Sequence, residues 1–134
     1  MMMAVAQEDP MGCGISCVAS LCGISYQKAK KLFDKPQNAV SIGFFCRDIV
    51  RALAKAGRRY SFRHIKRKTR YPENSIVFIS YSKRYPAGHF LVRAENRWMD
   101  PWMDFPSIKD VRAGFRKRLP GKAEYLVFPL EKRN

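Results

Sequence analysis

The fold of the N-terminal part is decided by the stretch QEDPMGCGISCVASLCG, residues 7–23. Asp9-Pro10 and Gly12 are turn-forming residues, and the chain that follows them is mostly apolar. Within it, apolar side chains recur at the spacing of one helix face, at Ile15, Val18, Ala19 and Cys22. We therefore predict a buried helix from Cys13 to Leu21, ended by Cys22 and Gly23.

Cys13 opens this helix, and Gln7 stands a short distance upstream of it. The unpaired N–H groups and the positive dipole end of a helix N-terminus favour a thiolate. A nearby side-chain amide can donate hydrogen bonds to the carbonyl oxygen that such a thiolate attacks. The two residues are therefore candidates for nucleophilic acyl-transfer chemistry.

A second pair of reactive side chains, His89 and Asp100, lies in a predicted β-hairpin. Glu95-Asn96 is the signal of a two-residue turn, so counting back along both strands places Leu91 opposite Asp100. His89 then lies diagonal to Asp100 on the same face of the sheet. A turn one residue longer would move Asp100 to the other face.

The four side chains supply complementary chemical functions. His89 can take the proton of the Cys13 thiol and deliver it to a leaving amine, while Asp100 fixes the imidazole tautomer. The Gln7 amide and the Cys13 backbone N–H would form an oxyanion hole. Simpler interpretations remain open, namely an inert thiol, a strand histidine, a turn aspartate before Pro101 and a flexible terminal glutamine.

The order of the remaining elements predicts an α+β fold, with N-terminal helices packed on a small antiparallel sheet. Helices come before strands and do not alternate with them, which argues against a parallel sheet. The other predicted helices are Tyr26–Phe33 with Ser25 as N-cap, Ile42–Ala56 with Phe45, Ile49, Ala52, Leu53 and Ala56 on its apolar face, and Ser107–Phe115 with Ser107 as N-cap. The predicted strands are Tyr60–Ile65, Ser75–Ser82, His89–Ala94, Arg97–Trp102 and Glu124–Leu130.

Length and composition predict a single domain over residues 1–134. The 46% hydrophobic content suffices for a core and argues against disorder. No apolar run approaches the roughly 20 residues that a membrane span needs. The N-terminus lacks the basic segment and long apolar stretch of a secretion signal, so we expect a cytoplasmic protein without a transmembrane segment.

The charge is strongly positive, with 26 Lys and Arg against 11 Asp and Glu, a net charge of +15. Such a balance favours acidic partners, such as an acidic peptide or protein, nucleic acid or anionic lipid. Seven of the basic residues lie between Arg58 and Arg70, around Tyr60, Phe62 and His64. This run predicts either a solvated strand edge followed by a charged loop or, less readily, a nucleic-acid interface.

The four cysteines predict neither a metal site nor a disulfide framework. Their spacing matches no common zinc site, and without a secretion signal there is no reason to expect disulfides. Buried free thiols are the expected state of the three that follow Cys13, which are Cys17, Cys22 and Cys46. We therefore expect no metal and no cofactor.

These motifs resemble those of a known family. The pattern Gln-x5-Cys-Gly at Gln7 and Cys13-Gly14, then Gly-His-Phe-x-Val from Gly88, then Asp100-Pro101, is similar to that of papain-like cysteine peptidases. The most similar branch is the bacteriocin-processing peptidases, which cut leader peptides after a double glycine.

The resemblance implies a papain-like fold and a peptide or protein substrate. It also implies that Cys13 is the nucleophile, His89 the base, Asp100 the orienting acid and Gln7 the oxyanion donor. One difference is that Gly12 stands where the family more often has Asp.

Two other functions fit the same residues. The fold could serve as a non-catalytic basic module that binds nucleic acid or an acidic protein through residues 58–70. The same thiol site could instead belong to a transferase, or to a toxin or effector that modifies another protein. The leading prediction from sequence is a stand-alone thiol hydrolase that cleaves peptide bonds.

Overall fold

Helices precede strands along the residues that the computed structural model describes, 2–80 and 87–130. The helices are α1 (Cys13–Cys22), α2 (Tyr26–Lys30) and α3 (Cys46–Lys55), with a short 3₁₀ helix at Pro36–Ala39. The strands are β1 (Tyr60–His64), β2 (Ile76–Ile79), β3 (His89–Ala94), β4 (Arg97–Asp100), β5 (Gly114–Arg116) and β6 (Ala123–Pro129). The predicted α+β class with an antiparallel sheet is confirmed.

The six strands form one antiparallel sheet in the order β1-β6-β2-β3-β4-β5. Helix α1 packs against β3, near the middle of the sheet. One apolar cluster lies on the helix side and includes Ile15, Val18, Ile49, Leu53, Phe90, Val92 and Met99. A second cluster, Val77, Ile79, Leu91, Trp98 and Leu126, covers the opposite face. Both faces of the central strands are therefore buried, which fixes their register.

The first two helices lie where the sequence predicts them. Helix α1 ends with Gly23 in the left-handed conformation at φ 67°. Helix α2 begins after Ser25, whose Oγ accepts a hydrogen bond from the backbone N–H of Lys28 at 3.1 Å. It is shorter than predicted, because the chain continues to Phe33 as a turn. None of the helices in the described ranges is both long and apolar enough to cross a lipid bilayer.

The third helix begins later than predicted, at Cys46 instead of Ile42. Gly43 adopts a left-handed conformation with φ 82°, which interrupts a right-handed helix. The backbone N–H of Phe45 donates to Asp48 Oδ2 at 2.7 Å and closes the first turn of α3. The prediction that Phe45 belongs to the apolar face is wrong, since the residue is 65% exposed.

The predicted helix Ser107–Phe115 is absent from the structure. Tertiary partners take its backbone groups: the indole N–H of Trp102 donates to the Ser107 carbonyl at 3.0 Å, and the Arg112 N–H donates to Asp104 Oδ1 at 2.9 Å. The end of the segment pairs with β4 as the short strand β5. Pairing with an otherwise open sheet edge therefore overrides the helical pattern.

The hairpin between β3 and β4 has the predicted turn and register. Glu95 and Asn96 both have positive φ, at 51° and 64°, as a two-residue type I′ turn requires. Ala94 pairs with Arg97, and the register continues inward from there. Strand β4 ends at Asp100, two residues before the predicted end, and the predicted end of β2 at Ser82 lies outside the described residues.

A close contact holds the loop in front of α1. A Cβ atom placed on Gly12 would lie 2.0 Å from Tyr26 Oη. The Tyr26 hydroxyl donates to Asp9 Oδ2 at 2.6 Å, and Lys30 Nζ lies 3.1 Å from the same oxygen. Since Tyr26 is buried and held by Asp9, the position before Cys13 has no room for a side chain.

We expect Gly12→Ala to lower the free energy of unfolding by about 1–3 kcal/mol, because the new methyl group displaces the Tyr26 ring. Urea denaturation measures the change. The same substitution in a Tyr26→Phe background should cost less, because the atom in closest contact is then gone. An equal cost in both backgrounds would assign the effect to something other than this contact.

Candidate active site

Cys13 is the first residue of α1 and is half-buried. No side chain caps the N-terminus of this helix among the described residues, and the first bond of its ladder runs from the Ser16 N–H to the Gly12 carbonyl. The N–H groups of the first turn are therefore not used within the helix. They point toward the region in front of Cys13, where they can stabilise negative charge.

His89, the first residue of β3, is buried and hydrogen-bonded to a second predicted site residue. Its Nε2 lies 2.7 Å from Asp100 Oδ1, and Cys13 lies near enough to raise the pKa of the imidazole. Because Asp100 occupies Nε2, Nδ1 is the nitrogen through which the imidazole can meet the thiol. The diagonal placement of His89 and Asp100 expected from the hairpin is what the structure shows.

Asp100 is fully buried at the end of β4, and both of its oxygens are hydrogen-bonded. Besides His89, Oδ1 accepts the backbone N–H of Trp102 at 2.9 Å. Oδ2 accepts Arg116 Nε at 2.6 Å. Sequence reasoning missed Arg116, because the preceding residues read as a helix; a strand there would have placed it diagonal to Asp100.

The electrostatics of the pair favour opposite charges. Burial alone would lower the pKa of His89. The charge of Cys13 and the hydrogen bonding of the imidazole with Asp100 and Cys13 outweigh the effect of burial, and together they raise the pKa of His89 to about 9. Burial would also raise the pKa of Asp100. The hydrogen bonds from His89 and Arg116 and the nearby positive charge of His89 instead hold the pKa of Asp100 well below its usual range.

Gln7 is buried beside the same site, only 4% exposed, and is not a loose terminal residue. Its backbone N–H donates to the Pro101 carbonyl at 3.2 Å, next to Asp100. Its side-chain Nε2 donates to the carbonyls of Asp9 and Pro10, each at 3.0 Å. Both amide hydrogens are thus bonded to the loop in front of α1, and Oε1 has no hydrogen-bond partner among the described residues.

A cleft of about 590 Å³ begins at Cys13. Its walls are mainly apolar and aromatic, and include Phe44, Phe78, Phe90 and Tyr125. Gly88, the residue before His89, also lines it, and a Cβ there would lie 2.3 Å from Phe78 Cζ. The cleft therefore brings an apolar surface to the Cys13 thiol.

The other candidate ligands and nucleophiles in the chain lie in different environments. Cys17 is fully buried, and burial raises the pKa of its thiol well above the usual range. Burial likewise raises the pKa of Cys46 to about 11. His64 lies on β1 with its ring 4.3 Å from that of Tyr125. Within the described ranges, no three His, Cys, Asp or Glu side chains are grouped to hold a metal ion.

The basic run follows the edge of the sheet. Strand β1 is an edge strand, and the run continues into the exposed loop after it. Arg63 lies over the Phe128 ring at 5.3 Å. In the part of the chain that the structure describes, no carboxylate lies within 4.0 Å of any basic side chain between Arg58 and Arg70. We call residues 58–70 the basic edge.

The fold is similar to that of a solved peptidase domain. The peptidase domain of Streptococcus ComA, a bifunctional ABC transporter involved in quorum sensing, aligns with a TM-score of 0.54 and 21% sequence identity. The alignment covers 96% of this chain and 97% of the ComA domain. No protein-family profile and no curated protein matches the chain.

We expect Cys13→Ala to lower the pKa of His89 from about 9 toward the usual value near 6.5, because the thiol supplies the first of the effects that raise it. A carbon-bound imidazole proton followed by NMR across pH measures the change. His64→Gln identifies the signal of the second histidine. As a control, Cys22→Ala removes a thiol from the other end of α1 and should leave the titration of His89 unchanged. An unchanged titration in Cys13→Ala would contradict the interaction between Cys13 and His89.

Proposed function

We propose that the protein is a cysteine peptidase of the papain-like fold, within which bacteriocin-processing peptidases are the most similar branch. The observation that carries this proposal is the buried hydrogen bond between His89 and Asp100, with the Cys13 thiol beside them at a helix N-terminus and at an apolar cleft. The similarity to the ComA peptidase domain supports the fold. We take residues 1–134 to form one domain that carries the whole site.

In the proposed reaction, Cys13 Sγ attacks the carbonyl carbon of a peptide bond as a thiolate. His89, protonated, gives its proton to the departing amine as the C–N bond breaks, which leaves a thioester on Cys13. His89 then takes a proton from water, which attacks the thioester and releases the carboxylic acid. Asp100 keeps the imidazole in orientation and balances its charge during both steps.

We infer that the oxyanion formed in each step is bound by the backbone N–H of Cys13 and by the Gln7 amide. The N–H belongs to the uncapped first turn of α1. Gln7 would exchange one of its bonds to the Asp9 and Pro10 carbonyls for a bond to the substrate oxygen. The buried position of Gln7 next to Pro101 supports this role, because it keeps the amide close to the reacting atoms.

We expect the isolated chain to cleave peptides, and we expect Cys13→Ala to abolish cleavage. The peptides tested should include some with a cleavage site after Gly-Gly. Asp100→Ala should lower kcat by several orders of magnitude, because His89 loses its orienting partner, and Gln7→Ala should lower it about 100-fold, the usual effect of losing one oxyanion donor. Peptide turnover followed by mass spectrometry measures all three. Cys22→Ala, on the same helix but outside the cleft, should stay active.

Alkylation provides an independent check that requires no substrate. Iodoacetamide at limiting concentration should modify Cys13 before the other three thiols, and His89→Ala should remove that preference. Cleavage that persists in Cys13→Ala, or equal modification of all four cysteines, would refute the proposed nucleophile.

A second candidate function uses the basic edge. The absence of carboxylate partners around its cations, among the described residues, leaves their charge available to an acidic ligand. Phe62, within this segment, lines the cleft that begins at Cys13. We therefore infer that the basic edge holds an acidic peptide substrate of the proposed peptidase. The second candidate function is that the basic edge binds a nucleic acid and the protein catalyses no reaction.

We expect kcat/KM on an acidic peptide to exceed that on its neutral analogue and to fall between about 50 and 300 mM salt, since screening weakens exposed charges. Replacing Lys66, Arg67 and Lys68 by Gln should remove the difference. Replacing Lys28, Lys31 and Lys35 by Gln changes the net charge by the same amount and should leave the difference between the two peptides intact. Equal rates on both peptides at all salt concentrations would refute steering, and salt-dependent DNA or RNA retention by Cys13→Ala would favour the alternative.

A further inference from the structure

Arg116 reaches Asp100 from the strand on the other side of β4. In the pairing of β4 with β5, Gly114 lies opposite Asp100 and Arg116 lies opposite Trp98. Arg116 is therefore diagonal to Asp100, as His89 is from β3. The buried carboxylate thus lies between an imidazole on one neighbouring strand and a guanidinium on the other.

The two cationic side chains bind different oxygens of the carboxylate. Arg116 Nε donates to Oδ2 at 2.6 Å, while His89 Nε2 lies 2.7 Å from Oδ1. The guanidinium is itself held by a bond from Nη2 to the Met103 carbonyl at 3.2 Å, and its side chain is 20% exposed. A rotation of the carboxylate would break the bond to Arg116, so Oδ1 remains directed at His89.

We propose that Arg116 is a positioning residue that holds Asp100 toward His89 and shares the charge of its carboxylate. This inference rests on the proposed function and adds a fifth side chain to that site. A guanidinium keeps its charge at every pH at which proteins fold, so Asp100 keeps an ionic partner whether His89 is protonated or neutral.

Charge sharing has a consequence for proton transfer. An imidazolium that faces a carboxylate already paired with arginine is stabilised less than one that faces an unshared carboxylate. It releases its proton to the leaving amine more readily. Arg116 therefore acts on the reaction through Asp100 and His89 and does not touch the substrate.

The test compares Arg116→Ala with Arg118→Ala, an exposed neighbour whose loss changes the net charge equally. We expect Arg116→Ala to lower kcat about 10- to 100-fold, the scale of a misplaced catalytic group, with KM little changed. Millimolar guanidinium should restore kcat by refilling the partly open site, and should have no such effect on the wild type. Arg116→Lys retains the positive charge, so its kcat should lie between that of Arg116→Ala and that of the wild type.

A second measurement needs no substrate and separates this inference from the proposed function. The NMR titration of His89 should move to higher pH in Arg116→Ala, because His89 no longer shares the Asp100 carboxylate with a guanidinium group. Added guanidinium should restore the sharing and return the titration to its original pH. A wild type that cleaves no peptide would refute the proposed function, and the titration would still test Arg116. A titration that is unchanged or moves to lower pH in Arg116→Ala would overturn the proposal.

Discussion

The pairing of a buried carboxylate with two basic side chains is the constraint on which the site depends. Asp100 has no exposure to solvent, and an isolated charge in that position would be strongly destabilising. It is tolerated because His89, Arg116 and the Trp102 N–H together bind both of its oxygens. The three strands β3, β4 and β5 are thereby joined through one side chain, as well as through their backbone ladders.

The N-terminal loop is tied to the same centre from the other direction. Gln7 bonds the Pro101 carbonyl through its backbone and the Asp9 and Pro10 carbonyls through its amide. Tyr26 holds the Asp9 carboxylate and fills the space at Gly12. The helix N-terminus that carries Cys13 is therefore fixed by contacts made before and after it in the chain, which makes its position relative to the sheet well defined.

Local signals in the sequence were sufficient where the backbone decides the outcome. The Glu95-Asn96 turn determined the hairpin register, and with it the approach of His89 to Asp100. The start of α1 at Cys13 followed from apolar spacing and turn residues in the same way. Two elements were mispredicted for different reasons. The left-handed backbone of Gly43 delays α3, a local effect that the apolar spacing does not reveal. Residues that read as a helix instead pair with the edge of β4, which is a tertiary effect. Arg116 was missed because the strand that carries it was predicted as the end of a helix. The hydrogen bonds of the Gln7 amide were not predicted either, because they depend on the shape of a loop, which residue spacing does not reveal.

The shortness of β5 has a consequence for how the site around Asp100 responds to heating. This edge strand spans only Gly114–Arg116 and is paired on one side, so it is among the elements expected to fray first. Its detachment would withdraw the guanidinium from Asp100 while both apolar clusters stay packed. The site would then come apart before global melting, in a subglobal opening that leaves most of the amide protons protected from exchange.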